Sequence, residues 1–490
     1  MRVGCCRVKC YTEQPMNPFR LLCRPRVRGS SVGGRSVCGA AVLASCGAAV
    51  LASAFLASGL AFVPAAAAHG RFPQAGQVVV DPNDDARIWV RTTYGIITTD
   101  DGAGEWRWIC PEGVGFDGDK EDPPIGFMND GTVIAGTFDG LSMTKDGCDF
   151  SFPSPMEGRF VIDLAVEPSF TSAIALSSNG VAADTFEVKL FDTSDNGASW
   201  TEIGTAPPAD FLALTLGVAP SDPQRVYLTG RDGTAGAYAG VLQHSADRGE
   251  TWTRYDVPGT DDGVALPYMG QVDPNDADRV YIGVVEQQMG EIVNFVLLVT
   301  EDGGQTFTNI FERSEPMSGF SLSPDGATVA IGGAEAGLWL ASSDDYTFSK
   351  VNEIHVRCLT WLDSGIYACA DQFIDGYNLA RSDDGGETFT PLSELSSPCG
   401  PPQCGEGTTV GNECPSRWPE EKLELNAEDC DAGSGGGGNG GGGEGAAGDD
   451  GGGGCGCEVV GTADDSSAWL GVLALLGLAG MRRRPAWTRR

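Results

Sequence analysis

The sequence offers little from which a zinc site or a nucleic-acid-binding surface could be built. It has only three histidines in 490 residues, and none of its 16 cysteines forms a Cys-x-x-Cys pair, so the usual zinc ligands are scarce. Lysine and arginine number 32 against 67 aspartates and glutamates, which gives a net charge of -35. Because such a field repels phosphate backbones, we predict no nucleic-acid partner. The scarcity of zinc ligands leads us to predict no metal, and we predict no cofactor, although cations or basic partners stay possible.

Helical periodicity is also missing from the middle of the chain, where an eight-residue phrase, Ser/Thr-x-Asp-x-Gly-x-Ser/Thr-Trp/Phe, recurs instead. Clear copies occupy 193–200, 245–252, 300–307 and 382–389, and degenerate copies occupy 99–106, 144–150 and 342–348. The third-position aspartates are Asp101, Asp146, Asp195, Asp247, Asp302, Asp344 and Asp384. Seven units of about 40 to 55 residues have the period of a four-stranded β-propeller blade.

Each part of the phrase has a role in a β-hairpin turn. An early aspartate can accept hydrogen bonds from nearby backbone N–H groups, glycine adopts a positive φ without steric cost, and the closing ring starts a buried strand. The phrase resembles the Asp-box, or BNR repeat, of sialidases, sortilin-type receptors and photosystem assembly factors. This resemblance implies that the box joins the third and fourth strands of a blade on its outer rim, and that the seven aspartates are structural rather than catalytic.

The half of each repeat that precedes the box is regular as well. Residues 77–90 and 271–282 each predict a strand, a turn rich in Pro, Asp and Asn, and a second strand. Such turns can hold calcium, but these lack an ordered ligand spacing, so plain turns are favoured. We therefore predict an all-β fold, a seven-bladed β-propeller of four-stranded antiparallel blades over residues 69–395. Whether the ring closes by strand exchange stays open.

The two ends of the chain differ from this repeating part. Residues 1–68 predict an export leader, with basic residues to Arg35, an apolar run and an alanine-rich cleavage site that ends at Ala68; an N-terminal membrane anchor is the alternative. Residues 396–431 carry four cysteines and predict a small disulfide-pinned appendage. Residues 432–454 are mostly glycine and predict a linker.

Residues 455–490 predict attachment to a membrane. They contain Cys455 and Cys457, fourteen apolar residues from Ala468 to Met481, and then an arginine cluster. The apolar run is short for a membrane span, and arginines after it form a stop-transfer signal. This arrangement resembles the MYXO-CTERM sorting tail, which implies cleavage near Cys455 or Cys457 by a membrane sorting protease, lipid attachment there, and display on the cell envelope or release from it. An ordinary C-terminal anchor is the alternative.

Eight cysteines lie between the leader and the tail. An even number in an exported domain favours disulfides, although the pairing is not fixed by sequence. We expect Cys110 to pair with Cys148, linking neighbouring blades, and Cys358 to pair with Cys369 across one hairpin.

The face opposite the boxes is the predicted binding face. The loops between second and third strands and the connections between blades meet there, and loops on a rigid scaffold are free to carry function. Many of these loops are acidic, with a few aromatic neighbours, which suits a cation, a basic peptide, a sugar or only solvent. The candidate binding residues are Phe138, Asp139, Tyr238, Asp371 and Tyr377.

Three functions fit this architecture, and we favour a surface-displayed, non-enzymatic propeller that binds a protein or glycan ligand. The alternative is a sialidase-like glycoside hydrolase, in which arginines grip the substrate carboxylate. Only Gly70-Arg71-Phe72-Pro73 approaches the signature that the sialidase resemblance implies, and the spacing of Arg159, Arg231 and Arg254 does not show that they converge. An assembly factor is the third reading. The fold does not choose among them.

Overall fold

The chain forms a seven-bladed β-propeller, as predicted. The computed structural model describes residues 71–430 except positions 262, 289 and 290, and within that part 27 strands form seven antiparallel sheets. Blades 1 to 3 consist of β1 (Ala75–Asp81), β2 (Asp84–Thr92), β3 (Gly95–Thr99) and β4 (Arg107–Ile109); β5 (Ile125–Phe127), β6 (Val133–Thr137) and β7 (Gly140–Thr144); and β8 (Val161–Val166), β9 (Ala173–Ala182), β10 (Thr185–Thr193) and β11 (Thr201–Ile203).

The remaining four blades each have four strands. Blades 4 and 5 consist of β12 (Leu212–Ala219), β13 (Asp222–Asp232), β14 (Ala239–Ser245) and β15 (Thr253–Asp256); and β16 (Ala265–Val272), β17 (Val280–Gln288), β18 (Glu291–Thr300) and β19 (Thr308–Arg313). Blades 6 and 7 consist of β20 (Gly319–Leu322), β21 (Thr328–Gly333), β22 (Gly337–Ser342) and β23 (Ser349–Asn352); and β24 (Cys358–Leu362), β25 (Gly365–Cys369), β26 (Leu379–Ser382) and β27 (Thr390–Ser393).

Helices are few and short. They are α1 (Pro111–Val114), α2 (Gln372–Asp375) and α3 (Thr409–Glu424). Within residues 71–430, leaving aside the three positions not described, no helix has the length and apolar character needed to cross a membrane. The leader, the glycine-rich segment and the tail with Cys455 and Cys457 lie outside the described residues.

Strand order follows chain order in every sheet, so the ring closes without strand exchange. The first strand of each blade is the innermost, and β24 of blade 7 lies beside β1 of blade 1. There the Thr360 hydroxyl donates a hydrogen bond to the Val78 carbonyl oxygen over 3.1 Å. Most hydrophobic clusters combine side chains of two neighbouring blades; one, for example, joins Tyr281 and Phe295 of blade 5 to Val329 and Ile331 of blade 6.

Blade 2 departs from the predicted four strands. Its sheet contains only β5, β6 and β7, and the place of a fourth strand is held by a single bridge between Met143 and Ser151. The chain beyond Ser151 contains Pro153 and Pro155, and proline cannot donate to a sheet ladder, so the pairing stops after one bridge.

The C-terminal appendage covers this shortened edge. The Val410 amide of α3 donates to the Cys148 carbonyl over 3.0 Å, and the Phe150 amide donates to the Thr409 hydroxyl over 2.9 Å. Blade 2 is therefore completed by chain that follows blade 7.

Disulfides tie the appendage to the first two blades. The predicted Cys358–Cys369 bond is confirmed, but the predicted pairing of Cys110 with Cys148 is wrong. Both of these cysteines face the C-terminal segment and bond to it instead. The other three disulfides are Cys110–Cys414, Cys148–Cys404 and Cys399–Cys430.

The start of the appendage also extends blade 1. Pro398 forms a parallel bridge with Trp106, and the Trp108 amide donates to the Gly400 carbonyl over 2.9 Å. The rings of Trp108 and Trp418 lie 5.7 Å apart. The chain after blade 7 thus crosses the ring closure and is bonded covalently to the blades on its far side; we call residues 396–430 the clasp.

The Asp-Pro-Asn turns between first and second strands join neighbouring blades. In blade 1 the Asn83 side-chain amide donates to the Asn129 carbonyl of blade 2 over 2.7 Å, and in blade 5 Asn275 donates in the same way to Asp325 of blade 6. Arg87 adds a 3.1 Å ion pair to Asp81. In these two blades the turn is therefore hydrogen-bonded to the blade that follows.

Candidate binding face

The propeller has two unlike faces. The seven box turns, between third and fourth strands, lie at the same end of the blades as the turns between first and second strands, as the hydrogen bond from the Gly102 amide to the Ala86 carbonyl shows. We call this end the box face. The opposite end, where the innermost strands begin, is the mouth face, because the axial cavity opens there.

In the complete boxes the aspartate is fully occupied by its own turn. Oδ1 of Asp384 accepts hydrogen bonds from the Thr388 amide at 2.9 Å and the Ser382 hydroxyl at 2.8 Å, and Oδ2 accepts from the Thr388 hydroxyl at 2.6 Å. These bonds lower the pKa of Asp384 to about 2. The same pattern is present at Asp195, Asp247 and Asp302.

The degenerate boxes keep part of this pattern. Asp101 and Asp146 each accept two backbone amides through Oδ1. At Asp344 the turn is one residue short, and the neighbouring Asp345 accepts the Thr347 amide instead.

The axial cavity has a volume of about 270 Å³ and draws its wall from the innermost strands and the mouth-face loops. That volume is close to the lower limit for small-ligand pockets. The large apolar side chains of the wall are Phe138, Val161, Ile162, Leu214, Met269, Val285, Ile292, Phe295, Leu297, Met317 and Phe320. Its larger polar side chains are Gln74, Arg91, Thr93, Glu121, Asp122, Thr215, Tyr268, Gln287, Ser318 and Arg357.

Three of the four charged side chains of the wall, Arg91, Asp122 and Arg357, form ion pairs. Asp122 lies 2.8 Å from the buried Arg91 and 2.5 Å from Arg71, and Arg91 also donates to the Gly76 carbonyl over 2.9 Å. Burial lowers the pKa of Arg91, and Asp122 opposes that shift. A Cβ at Gly76 would lie 2.9 Å from the Arg91 guanidinium, so a larger residue there would displace the end of the Arg91 side chain.

Glu121 is tied into the same loop by backbone amides. Its two carboxylate oxygens accept hydrogen bonds from Asp117 at 3.1 Å and from Phe138 at 2.8 Å. Burial raises the pKa of Glu121 in spite of these bonds. The carboxylate therefore shapes the loop that carries Phe138.

A belt of polar side chains on the innermost strands links each blade to the next around most of the ring. Each member bonds a backbone group of the following blade over 2.7–3.1 Å; the members are Gln77, Asp163, Thr215, Gln271, Ser321 and Thr360. Asp163 is the ionisable member, and burial raises its pKa to about 7.

Exposed apolar side chains border the cavity. Phe72 is 46% exposed, Phe373 and Ile374 are each 64% exposed, and the two phenylalanine rings lie 4.9 Å apart. Asp371 caps α2 by accepting the Phe373 amide and pairs with Arg357 over 2.9 Å. Arg357 also lines the cavity. Phe72, Phe373 and Ile374, which we call the rim patch, are therefore adjacent to the cavity wall.

Large exposed hydrophobic residues are concentrated on the mouth face. In the described part of the chain there are six, and three form the rim patch. Val181 lies at the end of β9, and Val264 lies in the connection between blades 4 and 5, so both are on the same face. The sixth, Leu423, is on α3 of the clasp. No box turn within the described residues exposes such a side chain.

The predicted binding residues are distributed around this site. Phe138 lines the cavity and Asp371 supports the rim patch, whereas Asp139 is exposed next to Phe138. The Tyr238 hydroxyl bonds Asp184 at 2.5 Å, and Tyr377 packs against the hydrophobic cluster between blades 6 and 7.

Sequence reasoning missed Phe72, Phe373, Ile374, Arg91 and Arg357. The adjacent Phe373-Ile374 pair inside an acidic loop is the one signal that could have identified the rim patch.

The arginines of the hydrolase alternative are dispersed. Arg159 pairs with Glu187 over 3.0 Å, Arg254 pairs with Asp256 over 2.7 Å, and Arg231 stacks on the Tyr238 ring at 4.1 Å. None of the three belongs to the described wall of the axial cavity. Arg91 and Arg357 do line it, with Tyr268 and Glu121, but each guanidinium already has an aspartate partner.

Comparison with solved structures finds other propellers. No protein-family model matches the chain, and no curated protein matches it in sequence. An ancestral GH74 enzyme is 15% identical with a TM-score of 0.49, over 66% of this chain and 46% of its own; this chain thus spans less than half of that enzyme. A GH74 xyloglucanase of Xanthomonas campestris is 17% identical (TM-score 0.31, covering 69% and 57%).

YCF48, whose structure was solved bound to D1 peptide, is also 17% identical to this chain. The TM-score is 0.34, and the match covers 50% of this chain and 71% of the YCF48 chain. At such identities and TM-scores no activity or ligand of these proteins transfers to this chain.

Proposed function

We propose that the chain is a surface-displayed, non-enzymatic propeller that binds a protein ligand at its mouth face. The observation that carries this proposal is the concentration of exposed large apolar side chains around the mouth of a largely apolar cavity. Contiguous exposed apolar surface marks interaction sites in soluble proteins, and buried aromatic and aliphatic anchors dominate protein interfaces.

A protein ligand suits this surface better than a glycan. A sugar presents hydroxyls that need hydrogen-bond partners, and the charged groups of the wall are already occupied by each other or by backbone amides. An apolar side chain of a ligand needs no such partners and gains from burial. We therefore propose that a side chain of the ligand enters the cavity while its neighbours cover the rim patch.

Selection from a random peptide library tests this proposal, with the purified 69–430 chain as bait and a glycan array run in parallel. We expect peptides with an aromatic or large aliphatic residue, whose binding is lost in Phe373→Ser and kept in Leu423→Ser. The second variant removes an even more exposed apolar side chain, 80% against 64% for Phe373, which lies on α3 of the clasp and is not part of the rim patch. Sugar hits with no peptide hits, or peptide binding that neither variant changes, would contradict the proposal.

A glycoside hydrolase is the second candidate, because one observation favours it. Glu121, whose pKa is raised by burial, and Asp122, which pairs with two arginines, both line the cavity, and two neighbouring carboxyl groups in unlike surroundings are typical of glycosidases. We expect no release of chromophore from aryl glycosides, sialosides included. Hydrolysis that disappears in Glu121→Gln would replace the binding proposal by this one.

A further inference from the structure

The point at which the chain leaves the described structure lies on the box face. Cys430 is the last described residue, and its disulfide to Cys399 holds it there. The Cys399 amide donates to the Trp106 carbonyl over 3.1 Å, and the Cys430 amide donates to Cys399 over 2.8 Å. A carboxylate oxygen of Glu105, in the box turn of blade 1, lies within 4.8 Å of both sulfurs.

The exit point and the proposed binding surface are thus at opposite ends of the propeller. Within the described residues the exposed large apolar side chains of the blades all lie on the mouth face, and the exit is covalently fixed at the other end. The rest of the clasp makes this attachment stiff, because Cys404 and Cys414 are bonded to blades 2 and 1.

We infer that the propeller stands on its membrane with the box face inward and the mouth face outward, so that it binds a partner presented from the surrounding medium. This inference rests on the membrane display and the protein-binding face of the proposed function. A partner embedded in the same membrane would meet the box face, whose complete boxes have no spare carboxylate and whose box turns expose no large apolar side chain among the described residues.

The predicted linker limits how strongly this orientation is favoured. A random coil of 23 residues, the number in the predicted linker 432–454, would have an r.m.s. length of about 26 Å, and a seven-residue inner strand spans roughly 23 Å from face to face. For a random chain, reaching across that height to turn the propeller over is about threefold less probable than leaving directly from the box face.

Fluorescence quenching on vesicles measures the orientation. The full chain is reconstituted into phosphatidylethanolamine–phosphatidylglycerol vesicles that carry a headgroup quencher, with one fluorophore attached through p-azidophenylalanine. One variant is labelled at Asp85, exposed next to the box turns, and the other at Thr234, exposed on a mouth-face loop. We expect about threefold stronger quenching at Asp85.

The double variant Cys399→Ser with Cys430→Ser is the control, because it frees the exit segment. We expect it to bind vesicles as before, with a smaller difference between the two labels. Equal quenching in the intact protein, or stronger quenching at Thr234, would overturn the orientation and leave the display intact. A full chain that stays off the vesicles would overturn both, whereas peptide selection tests the binding proposal independently.

Discussion

The box face and the mouth face are built from the same blades, but their polar groups have different partners. On the box face, aspartates such as Asp384 accept hydrogen bonds from their own turns, and asparagines such as Asn83 reach the next blade. On the mouth face, ion pairs surround an apolar cavity, and phenylalanine and isoleucine side chains remain in solvent. The comparison teaches that the repeated part of the sequence secures the architecture, while recognition is left to loops that do not repeat.

Removal of a clasp disulfide should have the largest effect on stability. The two disulfides that bond the clasp to the blades are attached at different faces. Cys110 lies at the mouth end of β4 and Cys148 lies in the box turn of blade 2. We expect Cys110→Ser with Cys414→Ser to lower the free energy of unfolding by about 2–5 kcal/mol, as measured by denaturant titration.

Cys148→Ser with Cys404→Ser is the matched comparison, since its bond closes a loop of similar length, 256 against 304 residues. It should cost less, because Cys110 and Cys414 are fully buried and its own cysteines are not. No loss in either variant would show that the clasp does not stabilise the propeller, and equal losses would show that burial of the cysteines does not set the difference.

The stability of the propeller should depend on pH through Asp163, which lies on an innermost strand between the two faces. Its pKa of about 7 lies above the value of 3.8 in an unfolded chain, so the folded protein keeps a proton that the unfolded chain releases. Stability is therefore lost as pH rises from about 4 to about 7, by at most on the order of 4 kcal/mol.

In the variant Asp163→Asn, the free energy of unfolding should change less between about pH 4 and pH 7. At pH 8 this variant should be more stable than the wild type. Gln271→Ala, which removes an uncharged member of the same belt, should lower stability at every pH and leave the slope unchanged. A wild-type slope that persists in Asp163→Asn would assign the pH dependence to another group.

A box turn should contribute to stability and not to binding. Asp302→Ala removes the acceptor of the Thr306 amide and hydroxyl, and we expect the Tm to fall by about 2 °C while selected peptides bind with unchanged affinity. Asp344→Ala, in the box whose turn hydrogen bond is made by Asp345, should have a smaller effect. Loss of peptide binding in Asp302→Ala would remove the distinction between the faces.

The rim patch should show the reverse behaviour, with the smallest effect on stability. Phe373→Ser and Ile374→Ser change exposed side chains, so the free energy of unfolding should stay within about 0.5 kcal/mol of the wild type. Selected peptides should bind at least tenfold more weakly, as measured by calorimetry. A large loss of stability would make Phe373 a packing residue and contradict its proposed role.

Much of the fold was predictable because it depends on local chemistry. The phrase around Asp195, Asp247, Asp302 and Asp384 predicted seven turns, and the structure has seven blades. Blade 2 lost its fourth strand because Pro153 and Pro155 interrupt the pairing, which a repeat period does not show. The pairing of Cys358 with Cys369 was predictable within one hairpin, whereas Cys110 bonds a residue 304 positions away.

The candidate site was predictable only in part. Placing function on the face opposite the boxes and including Phe138 and Asp371 followed from the order of strands and loops. Arg91 and Phe72 could not be found in this way, because one is a strand residue whose importance depends on Asp122 of the next blade, and the other precedes the first blade.

By itself, the sequence determined the repeated turn, the number of blades and the strand order, because each depends on residues a few positions apart. Tertiary structure alone decided how the ring is closed, which cysteines pair across it and where an apolar cavity opens beside Phe72 and Phe373. Those features bring together groups separated by up to about 300 residues. A pattern of residues that are close in sequence cannot indicate which distant residues come into contact.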